Sequence, residues 1–138
     1  MGGPDRRQFL CLAGGALLPA GRAAAADPHA AFVAAAQRMK QQAVDAGDQP
    51  YGAVVVRDGA ILGYGPSRVI AEGNPAAHAE RVALREARAK AGDGTLSGAL
   101  LYSTSHPCPA CERAAAAAGI ARMYVGPRPD DAGPPGRS

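Results

Sequence analysis

Two short segments concentrate the residue types able to do chemistry: His78-Ala79-Glu80 and Pro107-Cys108-Pro109-Ala110-Cys111. Each stands where a helical run begins. One imidazole nitrogen and two thiolates suit Zn²⁺ and leave its fourth tetrahedral position open, which is the arrangement of a catalytic rather than a closed structural site. Cys108 and Cys111 are three residues apart, so a loop and the first turn of one helix can turn both sulfurs towards one ion. The positive ends of two helix dipoles are expected to favour thiolates and lower their pKa. Glu80, two residues beyond His78, can reach a water on the ion without being needed as a ligand, and is therefore the expected proton carrier. The chemistry implied is metal-assisted hydrolysis. The rival reading takes Cys108 and Cys111 as a disulfide or redox pair; Pro107, the His-x-Glu upstream and the order of the first elements weigh against it.

The elements that must position these residues follow from periodicity. Asp27-Pro28 supplies an N-cap and a first-turn proline, and Phe32, Ala36, Met39 and Ala43 recur at helical spacing until Gly47. Two β-rich runs, 53–57 and 60–64, flank an Asp58-Gly59 hairpin turn. A polar loop from Pro66 to Ala77 leads to a second helix over about 78–91, ended by Gly92. Residues 99–104 read as a buried strand, 109–118 as an Ala-rich helix closed by Gly119, and 121–125 as a further strand. The order is α-β-β-α-β-α-β. A helix between the last two strands implies a parallel pair and a sheet covered by helices, an α/β class. From residue 127 the chain is rich in Pro and Gly with nothing to bury, so 127–138 is expected to be disordered and the 121–125 strand to form an unprotected edge.

A chain of 138 residues holds one small domain. Residues 1–26 resemble a twin-arginine export signal: Arg6-Arg7, then Phe9 and Leu10 in an apolar run to Leu18, and Ala24-Ala25-Ala26 as a cleavage site. That run is too short to span a bilayer. The mature protein is expected to start at Asp27 and to be periplasmic without a membrane anchor, or cytoplasmic if the signal is not used. Cys11 leaves with the signal. Cleavage removes three basic side chains and one acidic one, so the formal charge falls from +3 to +1, less than a polyanion binder needs. His29 is read as a solvated residue of the first helical turn.

His-x-Glu followed by Pro-Cys-x-x-Cys is the signature of zinc deaminases, which makes the expected hydrolysis a deamination. With Pro50-Tyr51-Gly52-Ala53-Val54-Val55, Asn74-Pro75-Ala76-Ala77 and Leu101-Tyr102-Ser103-Thr104, the chain from about residue 29 to 126 resembles the cytidine and deoxycytidylate deaminase superfamily. Within it, the resemblance is to the branch of guanine deaminases and tRNA adenosine deaminases. It implies a three-layer α/β/α fold with a mixed sheet, here shortened to four strands. It also implies zinc on His78, Cys108 and Cys111, proton transfer by Glu80, and substrate contacts from the Ala79 N–H. An Asn common in this branch after the second strand corresponds to Ser67, which puts substrate identity in question. The Glu usual before Pro-Cys is His106, read as a loop residue, with a polar group at the pocket rim as the alternative.

The function expected is hydrolytic deamination of a free nucleobase or nucleoside, with a homodimer and zinc supporting a small Ala-rich core. Nucleic acid is the disfavoured partner. The alternatives are a tRNA or nucleic-acid adenosine deaminase, and a truncated noncatalytic zinc or Cys-x-x-Cys redox domain.

Overall fold

The computed structural model describes residues 27–92 and 95–136. The export signal expected over 1–26 lies outside them. Helix α1 (Pro28–Asp45) begins as expected, with the Asp27 side chain accepting the His29 N–H and Pro28 in the first turn. Strands β1 (Gly52–Arg57) and β2 (Ala60–Pro66) pair antiparallel. Asp58 and Gly59 both have positive φ, 53° and 77°, the conformation of the tight turn that suits strand twist. Then follow α2 (Ala79–Ala91), β3 (Leu100–Ser103), α3 (Pro109–Ala118) and β4 (Arg122–Val125). A last strand, β5 (Asp130–Gly133), completes a sheet of order β2-β1-β3-β4-β5, with β3 and β4 parallel and the other pairs antiparallel.

Alternation along the strands makes the three layers. Val54, Val56 and Tyr102 turn towards Ala35 and Ala36 of α1, whereas Ala53, Val55, Leu101 and Met123 turn towards α2 and α3. Small residues let the layers close tightly. A Cβ on Gly63 would lie 2.1 Å from the Ala83 carbonyl oxygen, and one on Gly65 2.1 Å from that of Ala79. Helix α2 therefore rests its backbone on β2, with Ala79, Ala83 and Ala87 along the seam.

Two expectations fail here. The sheet has five strands rather than four, because β5 (Asp130–Gly133), within the segment expected to be disordered, pairs antiparallel with β4. Pro127, Pro129 and Pro134 flank this strand instead of interrupting it, and Arg122 grips the Asp131 carboxylate at 2.7 and 2.8 Å. Ala132 packs on the core, so a four-residue strand needs little else to bury. The edge is therefore β5, which is short and carries two exposed acids, features that discourage further pairing. His29 is also not a solvated residue. It is half-buried, hydrogen-bonded to the Tyr102 hydroxyl, and its ring lies 4.8 Å from that of Tyr124. No described helix is long and apolar enough to cross a membrane.

Candidate metal centre and its cavity

His78 and Cys108 occupy equivalent places, the N-caps of α2 and α3, in extended backbone conformation. Neither side chain caps its own helix. Both turn instead towards one point, which Cys111 reaches from the first turn of α3. His78 Nδ1 lies 3.6 Å from Cys108 Sγ and 3.4 Å from Cys111 Sγ, and the two sulfurs are 3.3 Å apart. Bonds of about 2.3 Å to sulfur and about 2.0–2.1 Å to nitrogen, at tetrahedral angles, would separate ligand atoms by roughly 3.5–3.8 Å. The three side chains thus fit zinc within small adjustments, and they form a group that could hold a metal ion. The thiol pKa departs from expectation. Burial pushes the Cys111 thiol up, reinforced by the neighbouring Glu80 carboxylate and by Cys108. Ionising so buried a thiol calls for a cation beside it.

Glu80, only 4% exposed, projects from the first turn of α2 next to this group. Its Oε1 accepts a hydrogen bond of 3.0 Å from the hydroxyl of Ser103, the last residue of β3. Ser103 had no assigned role in the sequence, although its place two residues beyond Leu101 puts it on the same, α2-facing side of the strand. The bond fixes the carboxylate, which also meets the Cys111 thiol.

Above these groups opens a cavity of about 280 Å³, floored by His78, Glu80 and Cys108. One wall is Gln49 and Tyr51 from the α1–β1 loop, and the other is Ser105 and His106 from the β3–α3 loop. His106 is therefore both a loop residue and a rim group. Its Nδ1 lies 3.0 Å from the Pro107 carbonyl, which selects the Nδ1–H tautomer and leaves Nε2 an acceptor. The Ala79 side chain is buried against β2, and its N–H belongs to the first turn of α2, where no intrahelical acceptor exists. Ser67 is not among the residues lining the cavity. It is 3% exposed, and its hydroxyl donates to Asp48 Oδ1 at 3.1 Å. A larger cavity of about 370 Å³ lies against α2 beneath Arg81, Arg85 and Arg88, but among the described residues no acid, histidine or cysteine lines it.

Residues 26–127 match the profile of the cytidine and deoxycytidylate deaminase zinc-binding region. The chain belongs to that deaminase family. Its zinc-binding region supplies the context for His78, Cys108 and Cys111 as metal ligands. Among its relatives, guanine deaminase of Bacillus subtilis strain 168 is 39% identical over 84 residues, 60% of this chain and 54% of that protein. The tRNA-specific adenosine deaminase of Aquifex aeolicus is 35% identical over 83 residues, 60% of this chain and 55% of that protein. The chain thus spans about half the length of these curated relatives. The fold matches a solved structure of a tRNA:A34 deaminase with TM-score 0.69 and 32% identity, over 72% of this chain and 76% of that one. It matches the crystal structure of the Bacillus subtilis guanine deaminase with TM-score 0.68 and 35% identity, over 72% and 64% respectively.

Proposed function

We propose that this deaminase-family chain is a zinc-dependent hydrolytic deaminase of a free nucleobase or nucleoside. The observation that carries the proposal is one cavity joining Glu80 to the ligand cluster beneath uncharged walls. Among the described residues no lysine or arginine lines it, so a phosphate group entering with the substrate would meet no basic side chain there. Tyr51, 43% exposed at the cavity wall, offers an aromatic face for a planar base. Gln49, Ser105 and the Nε2 of His106 offer hydrogen-bond partners to its edge.

His78, Cys108 and Cys111 would hold zinc, which would supply a water acidified towards neutrality. Glu80, steadied through Oε1 by Ser103, takes the proton released as water oxygen bonds to the amino-bearing ring carbon. The carboxylic acid returns that proton to the ring nitrogen, and the regenerated carboxylate then passes the second proton, from the new hydroxyl, to the amine, so the C–N bond breaks, a carbonyl forms and ammonia leaves. The small cavity with uncharged walls and the mature net charge of +1 favour a small neutral substrate.

The test is ammonia release by zinc-loaded protein from guanine, adenine, cytosine, their nucleosides and an adenosine-bearing RNA hairpin, with Glu80→Gln as the blank. Release from a base or nucleoside, absent in the blank, is expected. Release from the hairpin alone would overturn the small-molecule reading, and release from none would overturn the deaminase reading. Periplasmic residence is part of the same proposal and rests on Arg6-Arg7 and the run that follows.

A further inference from the structure

Two loops that flank the cavity meet at a single carboxylate. Asp48, between α1 and β1, accepts the N–H of Gln49 at 2.9 Å, the Ser67 hydroxyl at 3.1 Å, the Ile70 N–H at 3.1 Å and the Ala71 N–H at 2.8 Å. Only the first of these bonds is local. The others reach 19 to 23 residues along the chain, into the loop between β2 and α2. A further bond ties the same two loops, from the Ser67 N–H to the Tyr51 carbonyl at 3.0 Å. Gln49 and Tyr51, the wall of the cavity, therefore sit between a carboxylate anchor at residue 48 and a backbone anchor at residue 51.

We propose that Asp48 is a positioning residue for the substrate. Its carboxylate latches the 67–71 loop to the start of the Gln49–Tyr51 wall and so sets where that wall stands, with Ser67 a strut of the latch rather than a substrate contact. A carboxylate suits this task because it is an acceptor only and has lone pairs for four donors at once. Bonds to an ionised acceptor are also the stronger kind. Burial alone would raise the Asp48 pKa, but the bonds from Gln49, Ala71, Ile70 and Ser67 hold it below the ordinary carboxylate range, in keeping with a charged latch. The hydroxyl of Ser67 is already spent on Asp48. Substrate selection then falls to the groups that do line the cavity, Gln49, Tyr51 and His106.

The structural arm of the proposal is independent of the deaminase reading; its kinetic arm rests on it. The experiment compares the zinc-loaded full chain with Asp48→Ala, Asp48→Asn and Ser67→Ala by amide exchange and NMR, and by kinetics on whichever base is deaminated. In Asp48→Ala, exchange at Ile70 and Ala71 should quicken by about tenfold or more while Leu84 in α2 is unchanged, the mark of local opening. The Tyr51 ring resonances should shift and zinc content should hold. KM should rise about tenfold with kcat within about twofold, because the wall binds substrate while Glu80 and the ligands stay in place. Asp48→Asn, which keeps an acceptor oxygen, should fall between. Ser67→Ala should move KM the same way by less, and adding it to Asp48→Ala should add nothing, since both act through one network. Should Asp48→Ala fail to fold, the other two variants decide the matter.

Freed Ile70 and Ala71 amides beside unmoved Tyr51 resonances would overturn the proposal. So would a fall in kcat at constant KM, or a change of base preference in Ser67→Ala with the latch amides still protected. If the wild type deaminates nothing, the functional reading fails, and exchange with the Tyr51 resonances still decides the latch.

Discussion

Gly65→Ala should weaken zinc binding although residue 65 touches no ligand. Its new Cβ would stand 2.1 Å from the Ala79 carbonyl oxygen, 2.6 Å from the Ala83 nitrogen and 2.8 Å from the Ala83 Cβ. Ordinary contact needs more than 3 Å, so α2 must lift by about 1 Å, and two of the three blocking atoms are helix backbone that cannot swing aside. Overpacking of this kind costs about 1–3 kcal/mol of stability. The contact lies at Ala79, between His78 and Glu80, so the lift is delivered to both of these residues while Cys108 and Cys111 stay with α3. Ligand distances tolerate only about 0.2 Å, so zinc affinity should fall by about tenfold or more. Gly63→Ala is the comparison. Its Cβ meets the Ala83 carbonyl oxygen at the same 2.1 Å, one turn farther along α2. It should cost similar stability and less zinc affinity, because the helix can tilt about its metal-bound end. Competition with a chromophoric chelator gives the affinities, and thermal melts with excess zinc and with chelator give the stabilities. A Gly65→Ala protein with wild-type zinc affinity, or a Gly63→Ala protein that binds zinc more weakly than Gly65→Ala, would refute this reasoning.

Cys111→Ser should abolish zinc binding and leave a hydroxyl in a fully buried place, whereas Cys108→Ser should abolish binding with little further cost, because serine at an N-cap stabilises a helix by about 1 kcal/mol. Melting both variants in chelator beside the wild type checks the order. Ser103→Ala should keep zinc and lower kcat by about tenfold, since a bond to a charged group contributes roughly 1.5–3 kcal/mol, part of which water can replace; an unchanged kcat would remove Ser103 from the support of Glu80. Acid should release β5 early: hydrogen bonding from Arg122, then from the Gly133 N–H, holds the Asp131 pKa below its ordinary value, so its stabilising contribution is present at neutral pH and is lost as pH falls through that lowered pKa. Exchange at Gly133 measured downward from pH 5 would show this, and a pH-independent rate ratio to core amides would contradict it.

What was legible in the sequence was whatever is written locally. Asp27-Pro28 and Gly119 bound their helices in residue type alone, and Asp58-Gly59 dictates its turn. The pair His-x-Glu and Cys-x-x-Cys points to the three side chains that the fold gathers into a group able to hold a metal ion, because few residue types bind zinc. The features that escaped depend on contacts distant in sequence. β5 has no apolar pattern, since an edge strand held by its neighbour's backbone and by Arg122 needs none. His29 reads as a surface residue until β3 and β4 bring Tyr102 and Tyr124 beneath it. The Cys111 thiol departs from expectation for a related reason: the helix dipole follows from chain direction, but the burial that raises this thiol comes from the packing of two helices against a sheet. Ser67 was placed in its loop correctly, yet its partner Asp48 lies nineteen residues away.

The two helix starts tie stability and chemistry together. A helix leaves its first N–H groups without partners, and most chains place Ser, Thr, Asp or Asn there to accept one of them. Here α1 does so through Asp27, but α2 and α3 begin with His78 and Cys108, whose side chains leave that role to face each other across 3.6 Å. Each of these helices therefore gives up about 1 kcal/mol of local stabilisation at the end that carries the site. A cation held by His78, Cys108 and Cys111 joins those two ends and restores from outside the helices what their first residues withhold. The three side chains that could hold a metal thereby also act as the clasp between α2 and α3, and the position of Glu80 follows from that clasp. Metal loss should then show first at the N-terminal turns of α2 and α3, while α1, capped by its own aspartate, stays protected.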